Sequence, residues 1–529
     1  MIRLEHQVHK HPAQELIIMT KNVYTFVWNV FDCLYNLLIL FFEKINNKNL
    51  LRNSETGGKN LMNFPVVISR LVGYYAVTSI YDLELLLCSG FLKPHDQALQ
   101  YTSLQFQHLA QALRAISQPM FGGLRTIKLE EATDDESLKH LTEIAPNLEE
   151  LDLGQCKGVM HTYILGGLRK LRKLRMSYCS SYRGFLTDTL RELELTHCAT
   201  LHGDVGCLAH LTAERNVGRL THLTLDSCTI DQSFKLNDTL THLVLRANCF
   251  TNFEWDPDTL DGLTNLKSLE ITESSIDNIQ ALAITTMTRL ETLTLKRCPF
   301  LTDYRFLEGL HLLRSLHVET SFDWSMLKHL KLHLFSVREY HNSDLRHLVT
   351  QPDLRCLRLD QARSPCGDTA EVLSTLIAGW THLRTLDLFY CTHLLTTHGF
   401  PVCPTVTCLK IDFCKLIDDS KLQALMRSFP NLEILSANFT QVSDSGLACL
   451  HGRFRELNFR GCNLTSAALV YFKPMRELTS LDIAYTKVQK VNALPKSLQV
   501  IDVTGCNLVC TTSTRKLLRY RRTKVIQSF

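Results

Sequence analysis

The chain has 529 residues, of which 45% are hydrophobic and 21% charged, and a formal net charge of +4. That length is too great for one closed hydrophobic core, and the near balance of charge excludes the dense basic footprint of a dedicated nucleic-acid binder. Nineteen cysteines would suit a disulfide scaffold, but no C-x-x-C pair occurs and no cysteine cluster brackets the chain.

Residues 1–60 comprise an apolar stretch and a polar linker, Asn46-Asn47-Lys48 through Gly57-Gly58-Lys59-Asn60. The apolar stretch, Val23 to Phe42, is about 20 residues long, enough to cross a bilayer. Its polar residues (Thr25, Asn29, Asp32 and Asn36, with Asn22 just before) fall three and four apart, on one helical stripe. A central Asp costs about 2.5–3.5 kcal/mol on insertion. The stretch reads as a helix docked on another segment or a partner, with a membrane anchor as the alternative. Residues 61–98 form a further short helical segment, and 99–121 an atypical capping unit ahead of a long repetitive region.

From Leu124 a phrase recurs: Leu148-x-x-Leu151-x-Leu153-x-x-Cys156, then Leu171-x-x-Leu174-x-Met176-x-x-Cys179, and as far as Leu498-x-x-Ile501-x-Val503-x-x-Cys506. We number its residues as positions 1 to 9. A period of roughly 20–29 residues signals a leucine-rich-repeat solenoid, an α/β horseshoe with parallel strands inside and helices outside. About 17 units start near Leu124, Leu148, Leu171, Leu190, Leu220, Leu240, Leu266, Leu290, Leu313, Leu332, Leu354, Leu383, Val406, Leu432, Phe454, Leu478 and Leu498. The array thus covers 99–510. Thr302-Asp303 and Asp418-Asp419 read as helix N-caps, so each unit is expected to be strand, turn, cap and helix. The longer gaps, Leu190 to Leu220 and Leu354 to Leu383, imply extra structure on the outer face near 199–219 and 361–380. Residues 511–529, with Arg515, Lys516, Arg519, Arg521, Arg522 and Lys524, read as a basic capping helix.

Nine cysteines, Cys156, Cys179, Cys198, Cys228, Cys298, Cys391, Cys414, Cys462 and Cys506, share position 9, where a small buried group with a weak donor is needed. So many unpaired thiols suit a reducing compartment, cytosol or nucleus. The set Cys391, His393, His398, Cys403 and Cys408 has loose zinc spacing, yet Cys391 belongs to the buried slot and Cys408 to the inner face of the next strand. Neither a metal nor a cofactor is expected. No H-E-x-x-H or G-x-S-x-G pattern occurs, and the chain reads as a non-enzyme.

Strand residues alternate sides, so residues beside the buried leucines face the concave surface. These include Arg175, Arg246, Glu270, Arg358, Asp387, Phe389, Lys410, Asp412 and Arg460, with Tyr390 beside Phe389. Their signs alternate, which fits a folded protein partner better than a nucleic acid. An aromatic ringed by polar groups is the usual anatomy of a hot spot, which centres the expected site on Phe389 in the units beginning at Leu354, Leu383 and Val406.

The cysteine at position 9, followed by helix starts such as Cys298-Pro-Phe-Leu-Thr-Asp and Cys414-Lys-Leu-Ile-Asp-Asp, resembles the cysteine-containing leucine-rich-repeat subfamily over roughly residues 124–510. Most members of that subfamily are F-box proteins, whose F-box docks on the Skp adaptor of a cullin–RING ubiquitin ligase while the solenoid holds the substrate. Phe64-Pro65-Val66-Val67-Ile68 stands where an F-box has Leu-Pro-x-Glu-Ile, and Tyr75-Ala76 echoes a later position. The acidic residue and the closing tryptophan are absent. The resemblance implies a substrate receptor docked through Phe64, Pro65, Ile68 and Tyr75. A ligase-independent scaffold and a membrane-anchored repeat protein are the alternatives.

Overall fold

The computed structural model describes residues 103–108, most of 124–506, and 524–526. Segments 1–102, 109–123, 180–188, 199–219, 251–259, 363–368, 392–399, 507–523 and 527–529, with a few shorter stretches, lie outside the described residues. The expectations for Val23–Phe42, for the adaptor-docking residues Phe64, Pro65, Ile68 and Tyr75, and for His393 and His398 therefore lie outside them. No helix among the described residues is long and apolar enough to cross a membrane.

Among the described residues, nineteen strands pair side by side in one parallel sheet. Seventeen begin within two or three residues of the unit starts predicted from the sequence, including the degenerate unit at Leu332, whose strand is Leu334–Tyr340. Ser103–His108 adds a strand ahead of the first unit, in register with Thr126–Glu131. Lys524–Ile526 adds one after the last, paired with Val500–Asp502. The capping helix expected over 511–529 is therefore a strand where that segment is described. The two end strands do not pair with each other, so the sheet is an open leucine-rich-repeat solenoid. At about 4.8 Å per strand its inner arc is on the order of 85 Å.

Positions 1, 4, 6 and 9 form the core. In the unit at Leu290 these are Leu290, Leu293, Leu295 and Cys298, all buried. Each buried leucine contributes about 1.5–3 kcal/mol of transfer free energy, and the next unit covers what one unit leaves open. All nine position-9 cysteines are buried and free. Most of their thiols donate to a carbonyl of the preceding unit: Cys391 to Leu359 at 3.2 Å, Cys414 to Leu388 at 3.0 Å, Cys462 to Ala437 at 3.0 Å and Cys506 to Ile483 at 3.1 Å. The slot is thus a weakly polar spine stitching unit to unit. At Leu332 it holds Tyr340, whose hydroxyl lies 3.6 Å from Cys391 Sγ, two strands away. The intervening unit has alanine at that position.

The outer layer departs from the uniform helix expected. Among the described residues, full α-helices of ten or eleven residues, Asp135–Ile144, Thr369–Gly379 and Asp419–Ser428, occur only in the units at Leu124, Leu354 and Val406. Elsewhere the return is mostly 3₁₀, as at Arg305–Gly309, Trp324–His329 and Asn342–Thr350. Unit length explains the difference. A 3₁₀ helix rises about 2.0 Å per residue against 1.5 Å for an α-helix, so a short unit spans the same return with fewer residues. The helix Thr369–Gly379 is the extra outer-face structure predicted near 361–380.

The predicted caps divide the same way. Asp418 accepts from Lys421 N and starts a true α-helix. Asp303 accepts from Arg305 N, at the start of a 3₁₀ turn. Asp419 instead reaches the next unit, accepting from Ser443 N, Ser443 Oγ and Ser445 Oγ. A stronger bridge is buried Gln351. Its amide donates to Leu327 O and accepts from Leu332 N, while its own carbonyl accepts from Trp380 Nε1. One residue, through its side chain and its backbone carbonyl, thereby ties together three consecutive units.

Candidate functional site

Because the strands run in register, equal positions form columns across the inner face. Position 5 aligns Arg358 with Asp387 and Asp387 with Lys410. Position 7 aligns Asp360 with Phe389. Arg358, Asp387, Phe389, Lys410 and Asp412 thus lie together on three neighbouring strands. Arg358 Nε is 4.0 Å from an Asp387 oxygen. Burial raises the Asp387 carboxyl above the usual range, opposed by Lys410 and Arg358. Asp412 is engaged within the fold, accepting from Ser436 Oγ at 2.7 Å and Asn438 N at 2.8 Å. It holds the strand ends rather than offering a free carboxylate.

The other predicted inner-face residues lie in separate clusters. Arg175 pairs with Glu194 at 2.7 Å and lies 4.0 Å from Asp152. Arg246 pairs with Glu270 at 2.7 Å. Arg460 bridges Asp482 at 3.0 Å and Asp502 at 2.5 Å. The sign alternation read along the sequence is therefore a set of lateral ion pairs between adjacent strands. Pairs of this partly exposed kind contribute about 0–1 kcal/mol each.

Near the middle of the arc, Arg338 stands between Glu319 at 3.7 Å and Asp360 at 3.6 Å. Asp360 Oδ1 is buried without a hydrogen-bond partner. Burial, opposed by Arg338 and reinforced by Asp387, Glu319 and Glu339, raises its carboxyl to about 6. Two strands away on the same face, at position 5, burial and the charges of Lys296 and Arg358 push the His317 imidazole down to about 4, so this histidine is neutral at pH 7.

Tyr390 does not share the concave face with Phe389. It occupies position 8, which is left-handed in unit after unit: φ is 56° at Tyr178, 54° at Glu273, 56° at Tyr390, 59° at Phe413, 53° at Phe439 and 56° at Tyr485. The left-handed residue swings its side chain to the rim of the sheet. In the last units that rim is aromatic. Phe389 meets Phe413 with ring centroids 5.1 Å apart, and Phe413 stacks on Phe439 at 4.7 Å. The Arg460 guanidinium lies 5.4 Å from the Tyr485 ring centroid. Phe413, Phe439 and Tyr485 were not predicted as site residues. Aligning position 8 of every unit would have exposed the column.

Of the zinc-like set, Cys391 is sealed in the spine while Cys408 is half-buried on the inner face. Among the described residues no three His, Cys, Asp or Glu side chains are grouped so as to hold a metal ion.

No protein-family model and no curated relative matches the chain. Solved structures similar to it include two complexes. One is described as the crystal structure of the TLR13–ssRNA13 complex, at 16% identity and TM-score 0.49, covering 77% of this chain and 66% of that one. This chain therefore spans just under two thirds of that protein's length. The other is the mouse RP105/MD-1 complex, at 16% identity and TM-score 0.40, covering 79% of this chain and 88% of that one. The repeat architecture of this chain stands on its own strand pairing rather than on these likenesses.

Proposed function

We propose that this chain is a protein-recognition scaffold that holds a folded partner on the inner face of the units beginning at Leu354, Leu383 and Val406. The observation that carries the reading is the in-register row Arg358, Asp387 and Lys410 with the Phe389 ring alongside it. A partly exposed aromatic flanked by charges is the arrangement from which interface hot spots are built. Inner-face carboxylates in the following units disfavour a polyanion. The test is affinity capture with wild type and Phe389→Ala, followed by binding isotherms on the captured protein and circular dichroism to confirm the fold. Phe389→Ala should weaken binding by about 2 kcal/mol or more. Equal affinity would move the site elsewhere.

The narrower form of this reading is a substrate receptor of a Skp–cullin ubiquitin ligase. It is supported by the cysteine-type repeat and rests on residues 61–98, which lie outside the described residues. Co-capture of a Skp adaptor and cullin that is lost on deleting residues 60–95 is its expected outcome. Capture of the protein partner without either would leave a ligase-independent scaffold, in the cytosol or nucleus.

A further inference from the structure

The aromatic rim of the last units has no structural requirement behind it. Position 8 must be left-handed for the chain to leave the strand, and a non-glycine residue there is disfavoured. In the central units the slot is filled by Ser227, Ala247, Glu273, Arg297, Glu339 and Gln361, so the backbone does not demand a ring. In the last units it holds Tyr390, Phe413, Phe439 and Tyr485, with glycine only at Gly461 and Gly505. Three of these rings are exposed: Tyr390 at 46%, Phe439 at 38% and Tyr485 at 56%. Bulky apolar groups at strained, exposed positions are doubly unfavourable for the free fold, which is the pattern expected of a binding edge.

The rings form a near-continuous rail. Phe413 stacks on Phe439. The Phe439 ring lies over Gly461, where a Cβ would stand 2.5 Å from it, and the Tyr485 ring lies over Gly505 at the same 2.5 Å. The glycines make room for the ring of the preceding unit. From the strand of Tyr390 to that of Gly505 there are five strand steps, roughly 24 Å.

Charge selects the occupant. The inner face beside the rail carries Asp387, Glu456, Asp482 and Asp502 against Lys410 and Arg460, with Asp412 engaged by Ser436 and Asn438 and Arg358 of the preceding strand 4.0 Å from Asp387. Four carboxylates thus stand with two cations along the rail in a chain whose net charge is +4. Arg460 is already held by two of the acids. Lys415 and Lys487 come only after the buried position 9, past the rail. A ligand lying inward of the rail meets ring faces and acids together, and both favour cations.

We propose that this rim docks an extended peptide segment of a partner protein in which Lys or Arg alternates with aliphatic residues. The rail length suits about seven residues of extended chain. The proposal rests on the reading of this protein as a recognition scaffold and names the chemistry of what it recognises.

The test is fluorescence anisotropy of the full-length protein with a labelled peptide of alternating Lys and Leu. The same peptide with Glu for Lys, and single-stranded oligouridine, serve as controls. Phe439→Gly and Tyr485→Gly remove the rings while supplying the residue the left-handed backbone prefers. The Lys/Leu peptide should bind, and each variant should weaken it about thirtyfold, the loss of a hot-spot side chain. The melting temperature should stay level or rise, and Glu339→Gly at the same position of a central unit should leave binding unchanged. Equal binding of the Glu/Leu peptide would overturn the charge argument. Binding of RNA in place of the peptide would overturn the class of partner. Unchanged peptide affinity in the variants, or a fall in their melting temperature, would make the rings mere packing. A failure here with Phe389→Ala still weakening a captured protein would sink the rim alone, and the converse would sink the Phe389-centred site alone.

Discussion

The central units, from Leu266 to Leu354, and the last units, from Leu383 onward, share one backbone and use it differently. In the centre the rim position holds Glu273, Arg297, Glu339 and Gln361. There Arg297 pairs with Glu273, and Arg338 with Glu319 and Asp360. Behind them lies an aromatic cluster of the core, with Trp324 edge-on to Phe335 at 5.0 Å, and Gln351 bridging three units. In the last units the rim is aromatic, and the buried bridges run through small hydroxyls and thiols, Ser428 to Phe400, Thr440 to Cys462 and Thr486 to Cys506. Strand, αL corner and buried spine are the same in both, so the fold accounts for neither set of rim residues. Polar side chains join units in both regions, but the centre adds the Gln351 bridge and a charged rim, whereas the end presents rings outward.

The largest effect expected from this contrast is at Gln351. Gln351→Leu leaves Leu332 N buried without a partner, at a cost of about 1–3 kcal/mol, and takes from Leu327 O one of its two donors, the other being Leu330 N. Total destabilisation should be about 3 kcal/mol, read as a lower urea midpoint by near-UV dichroism, to which Trp380 contributes. Asp482→Asn on the inner face of the last units should change stability by less than about 1 kcal/mol. Comparable losses at the two sites would erase the distinction between a stitched centre and a presenting end.

How much of this is legible in the sequence depends on which forces act along the chain and which act across it. The buried positions repeat within each unit, so seventeen strands could be placed from leucine spacing alone, including the one at Leu332. The row Arg358, Asp387 and Lys410 was likewise readable, because register carries equal positions onto neighbouring strands. The outer layer was not. Whether a return is α or 3₁₀ depends on the distance to be covered against the residues available, which a cap motif such as Thr302-Asp303 does not encode. Tyr390 was placed on the wrong surface for a related reason. Strict alternation ends where φ turns positive, and nothing in an aromatic residue advertises that conformation. Nor does a lone Asp412 reveal that its carboxylate accepts from the next unit.

The spine should behave alike in both regions, which makes it the internal control. Burial pushes the Cys298 and Cys414 thiols up to about 12, so both stay protonated near neutral pH. Cys298→Ser in the centre and Cys414→Ser in the last units should each cost about 1–3 kcal/mol, by placing a more polar group in a slot shaped for sulfur. Thiol titration of the unfolded, unreduced protein should find most of the nineteen cysteines free. Finding most of them oxidised, or a loss at only one of the two sites, would break the picture of a common reduced spine.

A smaller effect is expected at Gly461, where φ is 67° and the Phe439 ring occupies the space of a side chain. Gly461→Ala combines backbone strain with displacement of that ring, for about 1–2 kcal/mol. Adding Phe439→Gly should recover part of the loss, since the ring is then gone and only the strain remains. Strict additivity in a double-mutant cycle would mean that ring and glycine do not interact.

The finest distinction lies in pH and belongs to the central inner face, where Asp360 and His317 are shifted in opposite senses. Asp360 titrates at about 6 when folded against 3.8 for the ordinary group. Between those values the folded state holds the extra proton, so its contribution is full below about pH 4 and is lost as pH rises through 6. His317 titrates at about 4 when folded against 6.5. There the unfolded state holds the extra proton, so stability is lost as pH falls from about 6.5 towards 4. Their contributions oppose each other in the wild type, and single substitutions should separate them. Relative to wild type, Asp360→Asn should gain stability as pH rises from 4 to 6.5, and His317→Gln should gain as pH falls over the same range. Solvent access to both groups keeps each slope modest, so the signs are the readout, taken from urea midpoints at closely spaced pH. Slopes of the same sign in the two variants would mean that this part of the face is solvated like the rim and does not carry the buried charges assigned to it.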